Sequence, residues 1–288
     1  MTQIIAGFEC GTLPWNGHDL LVTTRHMPTQ DMRKHYRMIK SHGMTWCRDG
    51  LKTDDVFHRM IVAHEEKINV IYDLAHYHRY NDPEVFALNI ARKWLSLHGP
   101  DKEFWCVPAN EPSIVPIMRP DMSRQESIDI GYVMINVLKS FINVKVLSVD
   151  VPGSDAFSDI ADIIGINLYP HTIDRPIHEY LIETHQSFDK PVAITETSWH
   201  DGFHEGYAGK AGWLWHVIDE VNTAKSFGVD IRLICWYPIV DCPNWNDPND
   251  PVRWSHGLIQ SEGLDGGLSK YVKEITTQET HKARPSLL

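Results

Sequence analysis

Eight short apolar runs alternate with longer amphipathic stretches along the chain, and this alternation is the feature that most limits its possible folds. The runs are brief and almost continuously apolar, which is typical of strands covered on both faces. Their intervals suit parallel strands joined by helices. The predicted strands are residues 4–9, 44–48, 69–73, 103–108, 145–149, 162–167, 192–195 and 231–236. The pattern therefore predicts an α/β protein with a single (β/α)8 TIM barrel.

The stretches between the runs have an apolar spacing of about 3.6 residues, which indicates helices. The clearest predicted helices are residues 31–42, 54–67, 83–98, 123–141 and 208–227. The third begins at Pro83 directly after Asp82, a capping residue followed by proline in the first turn. No Gly/Ser-rich linker, low-complexity tract or repeat interrupts the series. The sequence therefore predicts one domain that spans residues 1–288.

Charge and cysteine content argue against several classes of protein. The formal net charge of -11 disfavours binding to nucleic acid or to an anionic membrane, because both require a basic surface. The N-terminus lacks a basic segment followed by an apolar one, and no run of about 18 apolar residues occurs. We therefore expect a cytoplasmic protein without a membrane partner. The five cysteines form no CxxC pair and are expected to be small buried residues. The oligomeric state is left open.

Polar residues that directly follow the predicted strands are candidates for a functional site, because a barrel of this kind has its active site at the carboxyl ends of the strands. Two strings stand out there: Val-Pro-Ala-Asn-Glu-Pro at 107–112 and Ile-Thr-Glu-Thr-Ser-Trp at 194–199. They resemble the acid/base and nucleophile motifs of the retaining β-glycosidases that carry their glutamates on barrel strands four and seven, the clan A glycoside hydrolases. Within that superfamily, the chain is loosely similar to family 1 β-glucosidases.

The resemblance implies a glycoside hydrolase that cleaves the β-glycosidic bond of a small glycoside or oligosaccharide by double displacement. Glu111 would be the acid/base and Glu196 the nucleophile, with their carboxyl groups about 5–5.5 Å apart. A charged Glu196 nearby is expected to raise the pKa of Glu111. Asn110 would hydrogen-bond the sugar 2-hydroxyl. Arg48 and Tyr169 would contact Glu196 and favour its ionised form.

The resemblance also implies sugar-binding residues around the two glutamates. On the turn after strand three, His76 is the favoured sugar ligand and His78 the alternative. Trp236, at the end of strand eight, would be the platform beneath the sugar ring. The other predicted binding residues are Glu9, where family 1 usually has glutamine, His171, Asp241 and Trp245. The last two lie in segment 238–264, which is long and rich in Asp, Asn, Pro and Trp. This segment is expected to be irregular and to cover the site.

No cofactor and no metal are predicted for this site. The sequence has no HExxH motif, and the pair His76 and His78 follows strand three, whereas barrel zinc hydrolases carry such a pair on strand one. The predicted partner is a small-molecule carbohydrate. Three alternatives stay open: a transglycosidase on the same barrel, a carbohydrate-binding pseudoenzyme, and a metal-dependent barrel hydrolase that chelation would inactivate.

Overall fold

The computed structural model describes residues 2–15, 18–23, 29–51, 56–200, 203–244, 253–260 and 263–264. Eight parallel strands form a closed barrel, in which each strand pairs with the next and the last pairs with the first. They are β1 Gln3–Gly7, β2 Trp46–Gly50, β3 Asn69–Asp73, β4 Phe104–Val107, β5 Val144–Asp150, β6 Ile163–Asn167, β7 Val192–Thr197 and β8 Ile231–Trp236. The predicted (β/α)8 TIM barrel is confirmed. The predicted domain limits of 1–288 extend beyond the described residues and stay a prediction.

Helices connect the strands. They are α1 Thr29–Ser41, α2 Val56–Glu66, α3 Pro83–His98, α4 Val115–Met118, α5 Arg124–Lys139, α6 Ile177–Phe188 and α7 Gly209–Ser226. All five predicted helices are present, and α3 begins as expected, because the Asp82 side chain accepts a hydrogen bond from the Val85 amide at 2.9 Å. None of the described helices combines the length and apolarity needed to cross a membrane.

Short antiparallel strands lie outside the barrel and were not predicted. Cys10–Trp15 pairs with His18–Thr23 directly after β1. Asn16 and Gly17 stand between these strands in the sequence, and Asn-Gly is a strong hairpin signal that the strand prediction did not use. In the segment expected to be irregular, Cys242–Pro243 pairs with Arg253–Trp254, and Ile259–Gln260 with Gly263–Leu264. That expectation is therefore corrected for these residues.

Strand alternation sorts the buried apolar side chains into two clusters. Successive residues of a strand point to opposite sides, so Leu233 faces the barrel interior while Ile234 lies between the strands and the helices. The interior cluster contains Ile5, Ile71, Trp105, Val107, Leu147, Val149, Ile163, Ala193, Leu233, Cys235 and Tyr237. This apolar interior lies beneath the side chains at the carboxyl ends of the strands.

Candidate active site

Glu111 follows β4 and is held in place by neighbouring segments of the barrel. The backbone amide of Asn110 donates to the Ala75 carbonyl at 2.9 Å, and the backbone amide of Glu111 donates to the Val149 carbonyl at 2.9 Å. Glu111 has a left-handed backbone with φ of 44°, a conformation that is uncommon for residues other than glycine. The backbone contacts fix the point from which its carboxyl group projects.

Glu196 lies near the end of β7 and is buried. Its two carboxylate oxygens have different partners: Oε1 accepts a hydrogen bond from Arg48 Nη1 at 2.7 Å, and Oε2 accepts one from the Tyr169 hydroxyl at 2.6 Å. An ionised carboxylate is purely an acceptor, so it satisfies both donors. The structure thus brings together the three residues that the sequence analysis grouped.

Arg48, on β2, connects the other residues of the site and is completely buried. Its Nε and Nη2 atoms donate to Oδ1 and Oδ2 of Asp73, each at 2.8 Å, and Nη2 also donates to Asn110 Oδ1 at 2.6 Å. Burial by itself would raise the pKa of Asp73, but the Arg48 charge and a hydrogen bond from His76 hold it below its ordinary value. Buried charges are tolerated only with such complete pairing.

Arg48 also determines the orientation of Asn110 and His76. Because Asn110 Oδ1 accepts from Arg48, the amide nitrogen of Asn110 faces His76 Nε2, 2.9 Å away. His76 Nε2 must therefore accept a hydrogen bond from Asn110. The imidazole proton is then on Nδ1, which lies 3.0 Å from Asp73 Oδ2. The buried ion pair therefore fixes both an amide orientation and a histidine tautomer.

The carboxyl group of Glu111 is in a different electrostatic environment. Burial, together with the charge of Glu196, raises the pKa of Glu111 to about 7, and a hydrogen bond from the Tyr77 hydroxyl to Glu111 Oε2 opposes this rise. The direction agrees with the sequence-based expectation. A carboxyl group with this pKa is partly protonated at neutral pH and could act as an acid. The expected separation of about 5–5.5 Å from Glu196 stays a prediction.

Glu9 adds a further buried carboxyl group to the site. Its Oε1 accepts hydrogen bonds from the Gly11 amide at 2.7 Å and from the Tyr237 hydroxyl at 3.2 Å. Burial raises the pKa of Glu9 to about 7, and the hydrogen bond from the Gly11 amide opposes this rise. The structure thus places Glu9 beside the same network, and its role in reading sugar hydroxyls stays a prediction.

The predicted position of Trp236 is wrong. Its side chain belongs to the outer cluster between strands and helices, and its indole N–H donates to the His256 carbonyl at 2.9 Å. The next residue, Tyr237, faces the barrel interior, with its ring centre 5.0 Å from the guanidinium carbon of Arg48. Alternation along the strand explains the correction. The aromatic ring on the site side of β8 is therefore Tyr237, and Gly7 makes room for it, since a Cβ there would come within 2.3 Å of the ring.

The two histidines after β3 lie in different surroundings. His76 is buried in the network. His78 is half-buried, and its ring packs edge-on against the Tyr80 ring with centroids 4.4 Å apart. It also lines a cleft beside α3. His171 is exposed at the rim, where it stacks on the Tyr169 ring with centroids 5.7 Å apart. The structure thus favours His76 over His78 as the residue nearer the carboxylates.

The two remaining predicted residues belong to the segment after β8. Asp241 is half-buried, and its Oδ1 accepts a hydrogen bond from the Gly257 amide at 2.8 Å, so it holds this segment in place. Trp245 lies outside the described residues. A sugar-binding role for either stays a prediction.

Tyr77 and Tyr237 also belong to the site and were not predicted. Strand alternation, applied one residue beyond β8, would have placed Tyr237 inside the barrel. Tyr77 has no such signal, because it follows His76 directly and yet contacts the same site. Its left-handed backbone, with φ of 57°, turns two successive side chains toward one region. No periodic pattern predicts that geometry.

Cys10, Asp73 and His76 form the one group in the described part of the chain with ligand atoms close enough to hold a metal ion. The Cys10 sulfur lies 3.4 Å from Asp73 Oδ2 and 3.3 Å from His76 Nδ1. However, Arg48 donates to both oxygens of Asp73, so a bound cation would lie beside a guanidinium charge. These residues fit a hydrogen-bonded network better than a metal site.

No sequence-family model matches the chain, and no curated protein is similar to it in sequence. Its fold, in contrast, is shared with solved glycosidase structures. A family 1 β-glucosidase from Thermotoga maritima, in complex with isofagomine lactam, superimposes with a TM-score of 0.68 at 11% identity, covering 96% of this chain and 97% of the other. A β-glucosidase from Exiguobacterium marinum gives a TM-score of 0.65 at 12% identity, covering 99% and 97%.

A β-D-glucuronidase from Dictyoglomus thermophilum also superimposes, with a TM-score of 0.58 at 12% identity, covering 86% of this chain and 47% of the other. At such low identities, these similarities show the fold alone. The structural neighbours are nevertheless family 1 β-glucosidases and other β-glycosidases with an eight-stranded parallel barrel. The resemblance drawn from the two glutamate motifs is therefore confirmed at the level of the fold.

Proposed function

We propose that the protein is a retaining β-glycosidase, with Glu111 as acid/base and Glu196 as nucleophile. The observation that carries the proposal is the different environment of two carboxyl groups at one barrel mouth. Glu196 is held by two donors, Arg48 and Tyr169, while burial and the charge of Glu196 raise the pKa of Glu111 to about 7. Glycoside cleavage needs one ionised and one protonated carboxyl group.

In the first step, a carboxylate oxygen of Glu196 attacks the anomeric carbon and the glycosidic C–O bond breaks. Glu111 gives its proton to the departing oxygen, so the leaving group departs as a neutral alcohol. The sugar is then joined to Glu196 as an ester. The Arg48 and Tyr169 hydrogen bonds orient the attacking carboxylate.

In the second step, the ionised Glu111 removes a proton from water, and the water oxygen attacks the anomeric carbon as the bond to Glu196 breaks. Two inversions give net retention of configuration. Transfer to a sugar hydroxyl instead of water would pass through the same ester, so the transglycosidase alternative uses the same residues.

The substrate in this proposal is a small β-glycoside or oligosaccharide. Asn110 would bind a sugar hydroxyl, because Arg48 and His76 hold its side-chain amide in a defined orientation. Since both ring nitrogens of His76 have protein partners, His76 would contribute by orienting Asn110. Tyr237 would take the place proposed for an aromatic platform. Contacts from Glu9, His171, Asp241 and Trp245 would set hydroxyl specificity. The chemistry needs no cofactor, and a cytoplasmic location remains part of the proposal.

The test is chemical rescue of a Glu196→Gly variant with azide on an aryl β-glycoside that has a good leaving group. Azide should enter the space left by the carboxylate and give a glycosyl azide of inverted configuration. The matched Glu111→Gly variant should instead give the retained azide, because there the ester on Glu196 still forms. The exposed Glu84→Gln variant, on α3, should behave as wild type.

The readout is the anomeric configuration of each azide product by proton NMR. Unchanged activity of Glu196→Gly, or rescue products of one configuration from both variants, would contradict the assigned roles. A different result would favour the pseudoenzyme alternative. In that case, sugars would change the tryptophan fluorescence of the wild-type protein, but the protein would hydrolyse none of a broad panel of aryl glycosides.

A further inference from the structure

Tyr77 contacts the acid/base residue from the segment after β3, and no sequence pattern assigned it a role. Its side chain is buried, and its hydroxyl donates a hydrogen bond to Oε2 of Glu111. The amide nitrogen of Asn110 lies 3.5 Å from the same oxygen. Because Tyr77 donates to Oε2, a proton carried by Glu111 is expected on Oε1. The Asn167 side chain also interacts with this carboxyl group and favours its ionised form.

A second contact ties Tyr77 to the segment that carries Glu111. The Glu111 carbonyl accepts hydrogen bonds from the amides of Ile114 and Val115, which starts the short helix α4. Arg119 ends that helix, is buried, and donates from Nη1 to the Tyr77 carbonyl at 2.8 Å. Glu111 and Tyr77 are therefore connected in two ways. The backbone of Glu111 is linked through α4 and Arg119 to the Tyr77 carbonyl, and the Glu111 carboxyl group contacts the Tyr77 hydroxyl directly.

The backbone at both ends of the hydroxyl–carboxyl contact is unusual. Tyr77 has φ of 57° and Glu111 has φ of 44°, which are left-handed conformations that side chains disfavour. Such conformations persist where surrounding contacts fix them, and they occur often at functional sites. The T-shaped contact between the Tyr77 and His76 rings, with centroids 4.9 Å apart, adds a further constraint on the tyrosine.

We propose that Tyr77 is a positioning residue that holds one oxygen of Glu111 and directs the other toward the leaving group. This inference rests on the proposed function. The hydroxyl keeps its proton and can donate it to Glu111, because burial and nearby carboxylates raise the pKa of Tyr77 well above its ordinary value. A donor stabilises the ionised form of Glu111. It therefore makes Glu111 a stronger acid in the first step and favours the base form in the second.

The experiment compares pH profiles of kcat/KM for Tyr77→Phe and Tyr80→Phe. Tyr80 is a matched control, because it is also buried but its hydroxyl bonds to the Leu74 carbonyl instead of to a carboxyl group. Because Tyr77→Phe removes the donor, the alkaline limb of its kcat/KM profile should move to higher pH by about one unit. Tyr80→Phe should leave the alkaline limb unchanged. Turnover should fall more for an alkyl glycoside than for a dinitrophenyl glycoside, which needs little acid assistance.

Arg119→Met keeps the tyrosine but removes its backbone anchor, and should give a smaller shift in the same direction. If the alkaline limbs of Tyr77→Phe and Tyr80→Phe both lie at the pH of wild type, the positioning role of Tyr77 is wrong, while the proposed function stands. If wild-type protein hydrolyses no glycoside, the proposed function fails. The inference is then judged by carboxyl carbon NMR of labelled glutamate, assigned with Glu111→Gln: the Glu111 titration must rise in Tyr77→Phe, and an unmoved titration overturns it.

Discussion

The barrel interior is filled by apolar side chains toward the amino ends of the strands and by buried charges toward the carboxyl ends. Toward the amino ends, the side chains of residues such as Ile71, Leu147 and Leu233 are buried and carry no polar atoms. Above, Arg48 and Asp73 are charged, completely buried and joined by two hydrogen bonds of 2.8 Å.

The two regions respond differently to change. In the apolar half, each buried side chain contributes stability according to the apolar volume that it buries. Truncation of one side chain therefore removes its own contribution and leaves the contributions of the others. The charged half depends on complete pairing, because each ion left without its partner keeps its desolvation cost. Stability alone does not explain such an arrangement, and its concentration at the mouth where function is proposed agrees with a catalytic role.

The largest effect is expected from Asp73→Asn. This change leaves the Arg48 charge without its full carboxylate partner and removes the anionic acceptor of the His76 N–H, so the free energy of unfolding should fall by about 3–5 kcal/mol. Activity per folded molecule should also fall by about 10²-fold, because Asn110 and Glu196 lose the orientation that Arg48 provides. Denaturant unfolding and kinetics on the same sample measure both quantities. A variant as stable and active as wild type would contradict the role assigned to the ion pair.

Leu147→Ala tests the apolar half of the comparison. Leu147 is completely buried in the interior cluster, so its truncation should lower the free energy of unfolding by about 2–5 kcal/mol. Kinetic constants per folded molecule and their pH dependence should be those of wild type, because the charged network above is intact. A displaced pH profile in this variant would mean that the two regions are not separable.

The smallest effect concerns the proton on Glu111. Since its pKa is raised to about 7, kcat/KM should decline above that pH, by about tenfold for each further unit. The raised value also means that the folded state binds this proton more tightly than the unfolded chain. Its stabilising contribution is therefore present at low pH and lost as pH rises through 7. Glu111→Gln should abolish the alkaline decline in rate and reduce the decline in stability, to which Glu9 still contributes because its pKa is also about 7. An unchanged alkaline decline in rate would exclude Glu111 as its source.

The sequence was most informative where a periodic pattern governs the structure. Short apolar runs located all eight strands, since strands covered on both faces have few polar positions. Strand ends then selected Arg48, Asn110, Glu111 and Glu196, which the structure brings to one mouth. Barrel topology alone makes residues after different strands neighbours, so this part of the site could be predicted.

Other features depend on geometry that no pattern encodes. Trp236 was selected in place of Tyr237 because a tryptophan at a strand end resembles a sugar platform, although alternation points it outward. The choice between His76 and His78 required the orientation of a turn. Tyr77 reaches Glu111 only because its own backbone is left-handed.

The proposed double displacement requires that Glu196 form a covalent bond with the sugar. Incubation with a panel of activated 2-deoxy-2-fluoro β-glycosides, followed by intact mass and peptide mapping, tests it directly, because the fluorine slows hydrolysis of the ester. We expect one added fluorosugar mass on the peptide that contains Glu196, with no labelling of Glu196→Gln. Labelling at another residue, or turnover of the panel without any adduct, would contradict it.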